Sequence, residues 1–526
     1  MTMRPRFWRE GEHFVWATGL ALALILTLTI MLLSVVIMNG AGVFWPKRLA
    51  LAELTDSSRV LGEIVREDHH PETGEQRLQF KIANRDLYGL DFRWLNRGEI
   101  KRLSYPAKAV ALERLEHGNF FGSLAPTGAI TSVGALRQAL AGLGDQQEKV
   151  ARLNGQLADL NGELAAIRLK QAKFAYRHQQ DSPPARKLAI REQDIQARFT
   201  ALADELSKER TALQTPTVQL LDANGTVKEI ALADIVRVYT PNTMSWAAKV
   251  GYYATRLREF FGAEPRESNT EGGLFPAIFG TVMLVFLMSI LSFPLGVIAG
   301  IYLREYAKDG ILVKLVRIAV NNLAGIPSIV YGIFGLGFFV YGIGTQIDHF
   351  FFAERLPTPT FGTGGILWAS LTLGLLTVPV VIVATEEALG AIPPGIREGS
   401  QALAATKFQT LSKLLLPMAS PGILTGFILA MARAAGEVAP LMITGVVKLA
   451  PALPLDGHFP YLHLDRKFMH LGFHIYDIGF QSPNIEAAKP MVYVTTFLLI
   501  CIVLAMTSTA IYLRNRMRKK YAVVDV

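Results

Sequence analysis

Arg433 and Glu437 stand in a run that is otherwise apolar, Ala432-Arg433-Ala434-Ala435-Gly436-Glu437-Val438-Ala439-Pro440. Spaced four apart, they fall on one face of a helix. Ionisable groups inside a membrane segment are costly, so they usually face a cavity or partner and mark a substrate path. Arg433 offers a planar fork of donors that stays charged at any relevant pH and matches anionic oxygens. Glu437 alone would repel an anion. Beside Arg433 it can orient the guanidinium and accept a hydrogen bond from a hydroxyl of the cargo. The plain alternative is a salt bridge that holds the helix in its bundle.

A second chemical feature lies just upstream. Ile392-Pro393-Pro394-Gly395 turns the chain, and Arg397-Glu398-Gly399-Ser400-Gln401-Ala402-Leu403-Ala404-Ala405-Thr406-Lys407 follows as a short polar helix. Glu398 near its start suits the helix dipole. Leu414-Leu415-Leu416-Pro417 then carries the chain back into apolar sequence. A docking loop beside a charged pore helix suggests a transporter subunit driven from outside the membrane.

The elements that must position these residues are apolar helices. The chain has 526 residues, 51% hydrophobic and 18% charged, with a formal charge of +9. The basic excess could mean nucleic acid or membrane contact; its placement favours the membrane and excludes nucleic acid. Six runs have crossing length: about 14–38, 275–303, 317–343, 365–385, 421–446 and 490–513. Fifteen basic residues fall on one side of these spans, from Arg4, Arg6 and Arg9 through Lys407 and Lys413 to Arg514 and Lys520. Five fall in the two short loops opposite: Arg355, Lys448, Arg466, Lys467 and Lys489. This asymmetry places both termini in the cytoplasm. The first run is too long for a signal-peptide core and reads as a retained anchor. The only cysteine, Cys501, lies in the last span, so no disulfide staples the outer segment.

That outer segment, residues 40–270, reads as a small β domain carrying a helical insertion. Strand-like runs occur at 59–65, 77–83, 109–113, 217–221 and 227–232, the last two flanking the turn signal Asp222-Ala223-Asn224-Gly225. Between the strand groups, Val150, Leu153, Leu157, Leu160, Leu164 and Ile167 alternate steps of three and four. Ile195, Phe199, Leu202, Leu206 and Leu213 continue the pattern after the break at Ser182-Pro183-Pro184. The periodicity predicts an antiparallel coiled-coil hairpin over about 135–214, projecting roughly 60 Å. It reads as a spacer, with a docking arm for an outer protein as the alternative. Trp246, Val250, Tyr253, Leu257 and Phe260 form a stripe that suits either an interfacial helix or one packed on the β domain. The predicted order is a tail and first span (1–39), the insertion (40–270), a five-span core (271–520) and a tail (521–526).

Pro327, Pro379 and Pro440 fall inside apolar spans, as packing kinks or as helix hinges for alternating access. His458, His463, His470 and His474 have irregular spacing and read as solvated loop residues, with no metal site. No Gly-rich phosphate loop ending in Gly-Lys-Ser/Thr occurs, so ATP hydrolysis falls to another chain. No catalytic nucleophile–base pair is evident.

The spacing from 398 to 417 resembles the cytoplasmic loop shared by ABC importer permeases: Glu-Ala-Ala, three residues, Gly, nine residues, Ile-x-Leu-Pro. Glu398-Gly399-Ser400 takes the first place, Ala404 the glycine, and Leu414, Leu416 and Pro417 the end. The departures are Gly399 and Ser400 for alanines and Ala404 for glycine. Asn322-Leu323-Ala324-Gly325-Ile326-Pro327-Ser328-Ile329-Val330-Tyr331-Gly332, Thr377-Val378-Pro379, Gly272-Gly273 and Gly280-Thr281 resemble phosphate-importer permeases. The Ala-Pro after Glu437 is similar to the PstA-type subunit. The resemblance covers roughly 1–40 and 270–520 and implies an all-α membrane fold of ABC importer permease type, with the 40–270 insertion as an extracytoplasmic α+β addition. It implies a phosphate path at Arg433 and Glu437, and a coupling loop at Arg397, Glu398 and their neighbours. It also implies a second permease of the PstC type, a cytoplasmic ATPase dimer carrying the ATP, and an extracytoplasmic phosphate-binding protein. Other oxyanions (sulfate, molybdate) are rival cargoes. A membrane signalling protein whose outer arm reports to a regulator is a rival class.

The charge asymmetry has a direct test. A cysteine introduced at Ser182 should react with a membrane-impermeant thiol reagent in intact spheroplasts, while Cys501 stays silent. Labelling only after permeabilisation would invert the topology.

Overall fold

The computed structural model describes residues 11–69, 74–126, 128–266, 269–457, 459–482 and 485–521. Arg4, Arg6, Arg9, His458 and the tail beyond 521 lie outside the described residues. The longer helices, in chain order, are α1 (Glu12–Ala41), α2 (Val133–Gly142), α3 (Gly144–Tyr176), α4 (Pro183–Gln214), α5 (Trp246–Gly262), α6 (Phe275–Ile301) and α7 (Ile311–Leu323). They continue as α8 (Ser328–Phe334), α9 (Ile366–Gly390), α10 (Pro394–Ala402), α11 (Leu416–Gly436), α12 (Ala439–Thr444), α13 (Leu471–Tyr476) and α14 (Ile485–Tyr521). With their π-helical and short helical extensions, six stretches are long and apolar enough to cross a membrane: Glu12–Ala41, Phe275–Tyr306, Ser328–Phe351, Ile366–Gly390, Lys407–Gly436 and Ile485–Lys519.

Two of these spans correct the sequence reading. The third span begins at Ser328, not near 317. Ala324-Gly325-Ile326-Pro327 breaks the helix, because proline disfavours helical backbone in the residue before it. The preceding stretch becomes the separate α7, with no buried side chain. The fifth span begins at Lys407 and ends at Gly436, not at 446. Hydropathy merges what proline and glycine separate.

The bundle core forms where α6, α9 and α11 meet. Leu284, Val285, Met288, Leu373, Leu376 and Ala434 bury one another there, with Leu441 and Phe468. α14 packs on α11 and α1, and α1 is otherwise exposed. Gly280 of α6 lies so close to the loop before α13 that any side chain would overlap the Met469 carbonyl. The neighbouring Thr281 hydroxyl accepts the Leu471 N–H at 2.9 Å.

That close approach buries part of the last loop. His470 and His474 are 1% and 2% exposed. The expectation of solvated histidines is therefore corrected at these two positions. His470 caps α13 by accepting the Gly472 N–H through Nδ1 at 3.1 Å. His463 instead pairs with Asp456 at 3.0 Å. Burial pulls the imidazoles of both His470 and His474 down to about 4, and Lys448 adds to the effect at His474.

Among its described residues the insertion holds two antiparallel five-stranded sheets. One sheet has the order β4 (Phe92–Asn96), β3 (Gln76–Lys81), β2 (Arg59–His69), β1 (Leu49–Leu54), β5 (Ile100–Ser104). The other runs β10 (Ile235–Tyr239), β6 (Val110–Arg114), β7 (Asn119–Leu124), β8 (Thr217–Leu221), β9 (Val227–Ala231). Asp222 makes the β8–β9 turn by accepting the Asn224 and Thr226 N–H groups at 2.9 and 2.7 Å. Five strands, β1, β4, β5, β7 and β10, have no counterpart in the sequence reading. Each has only five or six residues.

α3 and α4 lie side by side, with Leu164, Ile167 and Ile195 buried between them. They do not project freely. Lys173, near the end of α3, reaches Glu354 after the third span at 3.5 Å. The stripe on α5 divides. Trp246 is exposed, while Phe260 is buried against Phe44 at the end of α1, ring centres 5.2 Å apart. Tyr252, off the stripe, packs on Tyr239 of β10 at 4.7 Å.

The buried histidines make stability depend on pH. Their pKa values lie below the ordinary 6.5. Between pH 6.5 and 4 the unfolded chain binds protons that the folded chain does not, so stability falls as pH falls through that window. The full effect is on the order of 3 kcal/mol per histidine. His474→Gln should flatten the slope of melting temperature against pH between 6.5 and 4. An unchanged slope would rule the explanation out.

Candidate functional site

Arg433 lies in the last turn of α11, and Gly436 ends that helix. Glu437 has extended backbone, φ −78 and ψ 131. The two charges are therefore not on one continuous helix face, which corrects the sequence reading. The cause is Pro440. Its ring would clash with the carbonyl four residues back, at Gly436, and it has no N–H to donate there. The helix must stop, and α12 starts afresh with Pro440 in its first turn.

The pair survives the break. Arg433 Nε donates to Glu437 Oε1 at 3.5 Å. Their side chains are 38% and 20% exposed. Among the described residues Glu437 is the one hydrogen-bond and ion-pair partner of Arg433, so most of its donor fork is uncommitted. The arrangement is a cation at an interrupted membrane helix, steadied by one carboxylate and open on one side. It can hold an anion's oxygens without first breaking a bidentate bridge.

The loop preceding α11 is built as an elbow. Pro394 opens α10 at the position where a missing N–H costs nothing. Arg397 turns inward. It donates to Glu305 Oε1 at 2.8 Å and to the carbonyls of Leu389 and Ile392 at 2.7 and 2.8 Å. It thus clamps the loop to the ends of the second and fourth spans. Glu398 lies in the second turn of α10, beyond the reach of the first-turn dipole effect, and its side chain is exposed. Gly399 is exposed beside it, and Ser400 is buried with its hydroxyl 2.9 Å from that of Thr410.

Ala404 takes φ +61. The left-handed turn that glycine would favour is therefore present with alanine in it, at a cost of about 1 kcal/mol. Thr406 and Gln409 then close a capping box on the next helical turn. Leu411–Leu415 is π-helical, with Leu414 half-exposed, and Leu416 and Pro417 begin α11.

Two apolar residues of this loop escaped the sequence reading. Leu403 is 86% exposed and Phe408 is 68% exposed. The available signal was an apolar side chain in a polar loop with no core to enter. The proline assignments also change. Of Pro327, Pro379 and Pro440, only Pro379 lies inside a helix. Pro327 caps α8, and Pro440 sits in the first turn of α12. Pro294, Pro421 and Pro490 are interior as well and were missed.

Residues 292–519 match the family described as binding-protein-dependent transport system inner membrane component. A probable phosphate transport system permease protein PstA of Methanocaldococcus jannaschii is 34% identical over 221 residues, covering 41% of this chain and 67% of that one. The phosphate transport system permease protein PstA of Yersinia pestis is 37% identical over 191 residues, or 36% of this chain and 58% of that one. A probable ABC transporter permease protein, YqgI, of Bacillus subtilis is 30% identical over 223 residues, covering 41% of this chain and 70% of that one. The chain thus spans between somewhat over half and about two thirds of these relatives' lengths. With relatives at this identity and coverage, the chain belongs to the family of binding-protein-dependent transport system inner membrane components.

Proposed function

We propose that the chain is the PstA-type permease subunit of an ATP-driven importer that moves inorganic phosphate across the cytoplasmic membrane. The observation that carries this reading is Arg433, whose donor fork is largely uncommitted at an interrupted helix. Phosphate carries one to two negative charges and needs a compensating cation within the bilayer. A guanidinium supplies it in a planar form that matches two oxygens at once. Glu437 beside it would accept a hydrogen bond from a phosphate hydroxyl, which sulfate lacks at neutral pH. The relatives named for phosphate transport support the same cargo.

The remaining parts follow from energetic need. The chain acts as a transport subunit, with a cytoplasmic ATPase dimer hydrolysing ATP. A PstC-type permease faces the Arg433 side, and an extracytoplasmic phosphate-binding protein delivers cargo. Both termini lie in the cytoplasm and the 40–270 insertion outside. The exposed Leu403, Phe408 and Glu398 form the surface on which the ATPase pushes. Arg397 and the Ser400–Thr410 contact transmit that push, because they tie the elbow to three spans.

Two predictions separate coupling from cargo binding. Glu398→Lys and Leu403→Asp should each abolish phosphate uptake while the protein stays in the membrane at its normal level. Both side chains are exposed, so neither change removes a core contact. Normal ATP-driven uptake by both variants would exclude this surface.

At the pore, Arg433→Lys keeps the charge but loses the fork, and labelled-phosphate uptake should fall about tenfold. Arg433→Gln should fall a hundredfold or more, on the order of losing a key anion donor. Glu437→Gln should retain more uptake than Arg433→Gln and discriminate less against sulfate. Full uptake by Arg433→Gln at normal expression would make the pair structural.

A further inference from the structure

A cavity of about 550 Å³ lies where the insertion meets the membrane helices. Its walls come from the end of α1, the faces of β2 and β3, and the start of α14. That volume suits a small molecule or a lipid headgroup. It shares no residue with the transport path or the coupling loop.

Its lining carries both signs of charge, five basic and four acidic side chains. Glu63 and Lys81 are cross-strand partners on β2 and β3. Neither makes a hydrogen bond or ion pair within 4 Å among the described residues, nor does Lys47 beside them. Burial raises the Glu63 carboxyl, with Lys81 and Lys47 opposing it. A carboxylate in such a setting gains from an added ammonium, and the lysines gain from an added anion. Deeper in the wall, Glu113 is 2% exposed. Arg256 and Arg266 donate to its Oε1 at 2.5 and 2.7 Å. Its Oε2 is buried and faces Arg237 Nη1 at 3.7 Å, too far for a hydrogen bond. Buried polar atoms are seldom left in that state.

One wall is formed by the ends of two helices of membrane-crossing length. Met38 and Asn39 of α1 and Pro490 and Tyr493 of α14 form that wall. Below Met38, α1 exposes Val35, Leu32 and Met31. Trp45 also lines the cavity, as expected of an aromatic side chain at headgroup level.

We propose that this cavity binds the headgroup of an aminophospholipid, with the ammonium on Glu63, the phosphodiester on Lys47, Lys81 and Lys489, and the acyl chains along α1. The mixed charge selects a zwitterion. A purely anionic headgroup or free phosphate would meet the same lysines but also the Glu63 carboxylate. The inference requires that the apolar helices cross a membrane and is independent of what the permease carries.

The test is native mass spectrometry of the full-length chain in mild detergent, titrated with dioleoyl phosphatidylethanolamine, dioleoyl phosphatidylglycerol or inorganic phosphate. The ethanolamine lipid should bind about tenfold more tightly than the glycerol lipid, a difference of about 1.4 kcal/mol. Millimolar phosphate should not displace it. Glu63→Gln should bring the two lipids to parity. Lys81→Gln should weaken both, and thermal melts would confirm that each variant is folded. If Lys81→Gln fails to fold, Lys47→Gln at an exposed position gives the same readout. Equal binding of both lipids by the unaltered chain overturns the proposal. So does displacement by free phosphate, or an unchanged preference in Glu63→Gln.

Discussion

A proline cannot continue a helix past the carbonyl one turn behind it, and the geometry of the candidate pore depends on that constraint. Pro440 forces α11 to end at Gly436. Inside a bilayer, freed backbone groups are tolerated only where protein covers them or water reaches them. The covering here is close. Gly332 of α8 sits over Pro440, so that an added Cβ would lie 2.7 Å from the Pro440 Cα. The Tyr331 hydroxyl, one residue earlier, donates to the Leu323 carbonyl at 2.6 Å and ties the third span to α7. The broken fifth span and the late start of the third are therefore one arrangement. Each interruption leaves room for the other, and Arg433 stands at the edge of both.

The insertion is held together at its base by charge. Arg237, Arg256 and Arg266 surround Glu113 and Glu259, with contacts of 2.5 to 3.7 Å. Burial alone would raise the Glu259 carboxyl, yet the three arginines outweigh it and hold it below the ordinary range. The cluster links β6 and β10 to α5, the last long helix before the second span. At the far end, the Lys173–Glu354 contact brings the helical hairpin back to the loop after the third span. The insertion is attached at both ends, and its position relative to the permease core is constrained twice.

Much of this was legible in the residues, and the failures have physical causes. Crossing length and hydropathy located six spans, because a bilayer demands a fixed apolar length. They misplaced two boundaries, because hydropathy does not register what Pro327 and Pro440 do to backbone. Arg433 and Glu398 stood out by charge, but the inward turn of Arg397 did not. Its partners, Glu305 and the Leu389 carbonyl, lie on other helices. The burial of His470 and His474 depends on Gly280 admitting a distant loop, which no local pattern encodes. The short strands escaped for a simpler reason. Five residues with at most one buried side chain, as in β4 and β5, carry too little alternation to read.

The left-handed alanine at 404 bears on how force travels through the molecule. A glycine at this bend can explore a wide range of backbone angles, so an elbow built on it is compliant. Alanine narrows that range and stiffens the joint between α10 and the helical turn that leads into α11. With Arg397 bolting one limb to Glu305 and Thr410 meeting Ser400 across the bend, the unit behaves as a rigid crank rather than a spring. On the coupling role proposed above, a displacement applied at its exposed tip would be delivered to the foot of α11 with little lost in flexing, 17 residues along the chain from Arg433.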